Sequence, residues 1–138
     1  MYSFDVKKRV RYGETDQMGF VYYGNYAQYY EIGRVEMLRS LGMTYKYMEE
    51  ELKVMMPVIS MQVRYLRPAR YDQLITIRTT LKELPDTKIT FYMELFNEED
   101  KLLNAGQVVL KFLDPKLGRT ISVPTELLDK LTPYFEKA

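Results

Sequence analysis

Residues 25–41 read NYAQYYEIGRVEMLRSL, and their apolar side chains recur at the three- and four-residue spacing of a helix. Asn25 can cap the N-terminus of this helix, and Gly42 can end it in a left-handed conformation. The apolar face carries Tyr26, Tyr29, Tyr30, Gly33, Met37 and Leu41, with Val35 and Leu38 beside it, whereas Glu31, Arg34, Glu36 and Arg39 fall mostly elsewhere. The segment therefore predicts one long helix whose broad apolar face must be buried.

Strand-like patterns surround the predicted helix. Before it, residues 3–12 alternate apolar and polar side chains, with a polar interruption at Lys8. After it, four more strands are predicted, separated by turn signals such as Pro85-Asp86. These strands span residues 55–66, 73–84, 88–97 and 102–113, and short helices are predicted at 44–51 and 125–135, the latter capped by Thr125.

The order of these elements predicts the fold class. Consecutive strands joined by short connections favour an antiparallel sheet, and a long apolar helix must pack against it. With 138 residues, the chain suits one α+β domain, residues 1–138. The edges of such a sheet would stay open in a single chain, and pairing of subunits edge to edge would cover one of them.

Two residue types are missing from the composition, which restricts the chemistry. The chain has no cysteine, so disulfides, thiolate metal sites and cysteine nucleophiles are excluded. It has no histidine either, so Ser-His-Asp catalysis, Cys-His catalysis and histidine-ligated metals are excluded. An enzyme with this sequence must use carboxylates, tyrosines, lysines or backbone amides, and we expect no metal and no cofactor.

Charge and hydropathy limit the kinds of partner expected for this protein. The net charge is +1 and the basic residues are scattered, which disfavours nucleic acid as a partner. The longest apolar runs are only a few residues, so no integral membrane segment is predicted. The N-terminal residues lack a basic region followed by an apolar stretch, so we expect no signal peptide and a cytoplasmic location.

The loop between the first strand and the helix carries the candidate catalytic groups, because Glu14 and Asp16 lie on it. The first amides of a helix lack intrahelical partners and carry the positive end of the dipole, so they can bind the polarised oxygen of a carbonyl group. A carboxylate beside them could attack that carbonyl or activate water. Acyl transfer from a thioester fits this arrangement, because a thiolate leaves without strong acid help.

The same residues also have a plainer interpretation. An aspartate in a glycine-containing loop usually makes a turn hydrogen bond to its own backbone. Glu14 would then face solvent or pair with a nearby arginine, and the tyrosines of the helix would serve as core packing. Composition and spacing alone favour this interpretation over catalysis.

A longer pattern changes that balance. Residues 12–26 (YGETDQMGFVYYGNY), 31–39 (EIGRVEMLR) and 63–72 (VRYLRPARYD) together resemble the signature of the acyl-CoA thioesterases similar to 4-hydroxybenzoyl-CoA thioesterase and to the Tol-Pal-associated thioesterases. The resemblance covers the first half of the chain, and the second half agrees mainly in its strand pattern. It implies a hotdog fold, in which a five-stranded antiparallel sheet wraps around a long central helix.

The resemblance also implies roles for individual residues. Asp16 matches the family's catalytic aspartate, which acts as nucleophile or general base. The backbone amide of Tyr23 matches the group that polarises the thioester carbonyl; many members have histidine at this position, and a backbone role survives the difference. Gly24 and Asn25, at the same helix start, are expected to contribute to substrate binding.

Family members are dimers or tetramers with active sites at subunit interfaces, so the resemblance predicts a homo-oligomer, such as a homotetramer. Basic side chains at these sites meet the phosphates of CoA. By rough placement, Lys88 and Arg119 are the candidates here, with ordinary solvated charges as the alternative.

Two functions of different classes follow. The first is hydrolysis of an acyl-CoA thioester to a free acid and CoA, with Asp16 as the catalytic carboxylate. The second is a non-catalytic hotdog module that binds acyl thioesters. A hydratase or dehydratase is set aside, because those enzymes use a histidine base. The acyl chain, and the choice between CoA and an acyl carrier protein, remain open.

Overall fold

The structure is a computed structural model that describes residues 1–136. The predicted long helix, α1, spans Tyr26–Ser40, and Gly42 follows it with φ at +80°, as predicted. The N–H groups of Gly42 and Met43 each donate to a carbonyl of the last helical turn at 2.9 Å, which closes the helix end. No helix within the described residues is both long and apolar enough to cross a membrane.

Six strands form an antiparallel sheet within residues 1–136. Five of them follow the order β1-β3-β4-β5-β2, and β6 pairs with the end of β5. The short β6 was not predicted, because three residues are too few to show an alternating pattern. The strands are β1 Tyr2–Arg9, β2 Val58–Tyr65, β3 Leu74–Leu81, β4 Lys88–Phe96, β5 Leu102–Asp114 and β6 Arg119–Ile121; the other helices are α2 Tyr45–Glu50 and α3 Thr125–Leu131.

The core lies between the sheet and α1, which packs against β1, β3 and β4. Gly33 marks the point of closest approach, because a Cβ atom there would lie 2.5 Å from Thr79 Oγ1 and 2.7 Å from an Ile77 methyl group. Alternate residues of β4 complete the core; they are Ile89, Phe91, Met93 and Leu95. An antiparallel sheet curled around one helix is the hotdog fold, so the predicted α+β class is confirmed.

β2 forms an edge of the sheet and is its most exposed strand. It pairs with β5, whereas α1 packs against other strands. Its exposed apolar side chains are Val58, Ile59, Met61 and Tyr65. An apolar edge of this kind offers free backbone donors and acceptors to another strand.

The predicted end of the first strand and both predicted ends of the C-terminal helix were wrong. β1 ends at Arg9 and not at Tyr12, because residues 12–14 form a 3₁₀ turn that leaves the Tyr12 side chain 80% exposed. Thr125 does not cap the C-terminal helix, since it is already the first helical residue after Pro124. That helix ends at Leu131, and a 3₁₀ turn containing Pro133 follows, because proline cannot donate the hydrogen bond that an α-helix needs.

Two polar side chains, Asn25 and Arg34, differ from their predicted positions, and a third, Lys8, has a partner that the sequence did not predict. The Asn25 side chain does not cap α1; its amide donates to the Glu14 carbonyl at 2.8 Å. Arg34, predicted to lie mostly away from the apolar face, is only 6% exposed. Lys8, the polar interruption in β1, is half-buried because it forms an ion pair with Glu14.

Candidate active site

Asp16 lies in a tight turn between β1 and α1. Its Oδ1 accepts hydrogen bonds from the N–H groups of Met18 at 2.9 Å and Phe20 at 3.3 Å, and Gly19 completes the turn with φ at +78°. The turn role expected for an aspartate in such a loop is therefore present. Oδ2 of Asp16 has no hydrogen-bond partner within residues 1–136, so one carboxylate oxygen stays available for chemistry.

The turn is anchored to the segment that follows β2. The N–H of Val21 donates to the Ala69 carbonyl at 2.8 Å, and the N–H of Tyr71 donates to the Gly19 carbonyl at 3.1 Å. The Arg70 guanidinium lies 4.7 Å from the centre of the Phe20 ring. These contacts bring the third segment of the family-like pattern, residues 63–72, against the first, residues 12–26.

The start of α1 presents free backbone donors. A single 3₁₀ turn, Tyr23–Asn25, precedes the helix, and the Asn25 N–H donates to the Tyr22 carbonyl at 2.8 Å. No acceptor within the described residues takes the N–H of Tyr23 or of Gly24, and Tyr23 is 64% exposed. These amides lie at the positive end of the α1 dipole and can bind an oxygen that carries negative charge.

Glu14 is more enclosed than expected. The prediction that it faces solvent or pairs with an arginine was wrong, because its carboxylate accepts from Lys8 Nζ, the Tyr29 hydroxyl and the Arg11 N–H at 3.0, 3.0 and 2.7 Å. Burial raises the pKa of this carboxyl, but the three donors and the charge of Lys8 outweigh burial and bring the pKa below its ordinary value.

A cleft of about 370 Å³ contains both candidate catalytic groups, Asp16 and Tyr23. Its other lining residues are mostly apolar or aromatic and come from the same loop, from α1 and from the end of β2: Met18, Phe20, Val21, Tyr26, Tyr65, Leu66, Arg67 and Pro68. The first four lie in residues 12–26 and the last four in residues 63–72, so the family resemblance was the signal that could have identified them. A carboxylate beside a free amide in an apolar cleft can attack or hydrate a bound carbonyl compound.

Tyr26 is the buried wall of this cleft. Its hydroxyl oxygen accepts a hydrogen bond from the Ala69 N–H at 3.1 Å. Burial raises the pKa of Tyr26, and the nearby charges of Tyr65 and Asp16 raise it further, although the bond from Ala69 acts in the opposite direction. The phenol therefore stays neutral at physiological pH.

The other predicted binding residues lie apart from the cleft in this chain. Gly24 and Asn25 are beside Tyr23 but do not line it, and the Asn25 side chain is engaged with Glu14. In the strand register, Lys88 of β4 lies opposite Lys111 of β5, and Arg119 of β6 lies opposite the last residue of β5. Both are at one end of the sheet, and Tyr65 is at the other end. Their roles in substrate binding stay predictions.

Known proteins are similar to this chain in sequence and in fold. The family model of the thioesterase-like superfamily matches residues 10–131. The acyl-CoA thioester hydrolase YbgC of Escherichia coli O6:H1 is 32% identical over 120 residues, which cover 87% of this chain and 89% of that protein. The putative acyl-CoA thioesterase YneP of Bacillus subtilis is 33% identical over 93 residues, 67% of each chain.

A solved structure agrees with these sequence matches. The DHNA-CoA thioesterase from Staphylococcus aureus superimposes with a TM-score of 0.87 and 25% identity, covering 100% of this chain and 98% of that one. The family match includes the Asp16 turn, α1 and all the lining residues of the cleft. The chain therefore belongs to the thioesterase-like superfamily and is a hotdog-fold thioesterase.

Proposed function

We propose that the protein hydrolyses acyl-CoA thioesters to a free acid and CoA, with Asp16 as the catalytic carboxylate. The observation that carries this proposal is that Asp16 and Tyr23 line the same cleft, while Oδ2 of Asp16 and the N–H of Tyr23 have no partner within residues 1–136. Similarity to acyl-CoA thioester hydrolase YbgC supports the choice of CoA as the carrier.

The thioester carbonyl oxygen would accept a hydrogen bond from the Tyr23 N–H, which stabilises negative charge as it develops on that oxygen. Asp16 would then act in one of two ways. As a nucleophile it forms an anhydride with the acyl group and expels the CoA thiolate, and water later cleaves the anhydride. As a general base it takes a proton from water, which attacks the same carbon. Both routes require an ionised Asp16.

The acyl group would occupy the apolar part of the cleft, between Tyr26, Tyr65 and Leu66. Aromatic and aliphatic walls bury an acyl chain without demanding polar groups on it. This lining is compatible with aryl groups and with short or medium aliphatic groups.

We also propose that copies of the chain associate through β2, as a dimer or as part of a tetramer. Antiparallel pairing of two β2 strands, centred on Met61, would place the Val58 end of the second copy beside the Tyr65 end of the first. The far end of the second copy's sheet, which carries Lys88 and Arg119, would then approach the cleft. Within one chain, Lys88 is about 23 Å along β4 from the residue level with Tyr65, so a phosphate-binding role for it requires the second copy.

A panel of CoA esters tests the activity. Purified protein is incubated with short aliphatic, medium aliphatic and aryl acyl-CoAs, and the release of thiol is followed with a thiol reagent. We expect turnover of at least one class. Binding of acyl-CoAs without thiol release would favour the alternative, a non-catalytic acyl-thioester-binding module.

The association through β2 has its own test. Met61→Lys places like charges face to face in a β2 pair, so light scattering should show the oligomer dissociating to monomers. Ser3→Lys, on the opposite edge strand β1, should leave the mass unchanged. A monomeric wild type, or a Met61→Lys oligomer of unchanged mass, would contradict the proposal.

The cytoplasmic location also stays a proposal, which cell fractionation tests.

A further inference from the structure

Glu14 connects the two groups that the proposed mechanism uses. It lies two residues before Asp16 in the chain. Its carbonyl oxygen accepts hydrogen bonds from the Tyr22 N–H at 2.9 Å and from the Asn25 side chain at 2.8 Å. Because these donors flank Tyr23 on both sides, the backbone of Glu14 ties the aspartate loop to the start of α1.

The side chain of Glu14 is fixed by two other elements. Lys8 belongs to β1, and its Nζ lies 3.0 Å from each carboxylate oxygen. Tyr29 belongs to α1, is fully buried, and donates its hydroxyl proton to Oε1 at 3.0 Å. The carboxylate is therefore held between the strand before the loop and the helix after it.

We propose that Glu14 is a positioning residue for thioester hydrolysis, which sets the separation between the Asp16 carboxylate and the Tyr23 N–H. The inference rests on the proposed roles of those two residues. Glu14 does not line the cleft, so it acts through them and not on the substrate. Positioning matters because reacting atoms must approach to about 3–3.5 Å, and a 1 Å displacement can cost about 100-fold in rate.

Three variants measure this role. Glu14→Ala removes every side-chain bond, Glu14→Gln keeps an oxygen acceptor for Tyr29 and Arg11 but loses the charge facing Lys8, and Tyr29→Phe removes one donor. Tyr30→Phe is the matched control: Tyr30 is equally buried on α1, but its hydroxyl donates to Asn104 Oδ1 at 2.6 Å, away from the loop.

The kinetic constants for the best acyl-CoA substrate, measured below each variant's melting temperature, should separate the variants. We expect Glu14→Ala to lower kcat about 10- to 100-fold with KM changed less than about threefold, because Glu14 makes no hydrogen bond to the apolar walls that would hold the acyl group. Glu14→Gln should recover most of kcat, and Tyr29→Phe should fall in between. Tyr30→Phe should keep the wild-type kcat although it too loses a buried hydrogen bond.

A wild-type kcat in Glu14→Ala, or an equal loss in Tyr30→Phe, would overturn the inference. Amide hydrogen exchange at Tyr22 gives a readout without turnover, since its N–H is bonded to the Glu14 carbonyl. We expect faster exchange in Glu14→Ala than in wild type and Tyr30→Phe. Wild-type protein inactive on every acyl-CoA would refute the proposed function, whereas unchanged exchange at Tyr22 in Glu14→Ala would refute the role of Glu14.

Discussion

Two turns of this molecule hold an aspartate in nearly the same local geometry. Oδ1 of Asp16 and Oδ1 of Asp114 each accept hydrogen bonds from two backbone N–H groups further along the turn, at distances between 2.9 and 3.3 Å. Gly19 and Gly118 complete the turns with φ at +78° and +66°. Turn chemistry alone does not distinguish the two aspartates.

Their surroundings do distinguish them. After the Asp16 turn, the chain reaches the amides of Tyr23 and Gly24, which have no acceptor within residues 1–136, and Tyr23 lines an apolar cleft. After the Asp114 turn, the chain enters β6, whose residues pair with β5. The catalytic role proposed for Asp16 therefore rests on these surroundings. The hydrogen bonds of the two turns are alike and do not separate Asp16 from Asp114.

The largest effect on kcat is expected from removing the Tyr23 N–H, which has no counterpart near the Asp114 turn. Tyr23→Pro removes one N–H, and proline suits this position because Tyr22 already has φ −59° and ψ 129°, angles that a residue before proline adopts. We expect kcat to fall about 100- to 1,000-fold, as for loss of an oxyanion donor, with the circular dichroism spectrum unchanged. Tyr23→Phe keeps the N–H and should stay close to wild type. Equal activities of the two variants would refute a backbone role for Tyr23.

A matched pair of glycine substitutions compares the turns directly. An added Cβ at Gly19 or Gly118 meets no heavy atom within 4 Å, so Gly19→Ala and Gly118→Ala are strained only by their positive φ. Each should lower the free energy of unfolding by about 1–2 kcal/mol in urea titrations. Only Gly19→Ala should also lower kcat, because it displaces Asp16. Loss of kcat in both variants would mean that general destabilisation, not the turn, reduces activity.

The smallest effect concerns acid stability of the anchored loop. The pKa of Glu14 is lowered in the folded protein, so its stabilising contribution is complete above the unfolded pKa and is lost as pH falls through the folded one. Glu14→Gln does not titrate. The Tm of wild type should therefore exceed that of Glu14→Gln at neutral pH, and the gap should narrow below pH 4.5 in scanning calorimetry. A gap that is constant with pH would exclude this contribution.

The long helix was predictable because its information is local. Apolar spacing over residues 25–41 and Gly42 beyond them were sufficient to predict α1 nearly to the residue. The place of β2 was not predictable, because an alternating pattern shows which face of a strand is buried but not which strand lies beside it. β2 pairs with β5, whose first residue is 37 positions beyond the last residue of β2.

The candidate site also has one part that the sequence could predict and one part that it could not. Asp16 and Tyr23 are close in sequence, so a shared cleft followed from their spacing and the family resemblance. The anchoring of Glu14 was not predictable from the sequence, because Lys8 and Tyr29 reach its carboxylate only when β1 and α1 pack together. The remote position of Lys88 likewise depends on the register of β4 with β5, which no local pattern encodes.

The most direct test of the central claim replaces the two compared carboxylates one at a time. Asp16→Asn and Asp114→Asn each exchange one oxygen for nitrogen in the same kind of turn, and both are assayed for thiol release on one acyl-CoA. We predict that Asp16→Asn loses about 100-fold or more in kcat/KM. Asp114→Asn should stay within about twofold of wild type, as expected for a substitution that leaves the Asp16 turn and the Tyr23 N–H unchanged. Activity in Asp16→Asn equal to that in Asp114→Asn would contradict the assignment of Asp16 as the catalytic carboxylate.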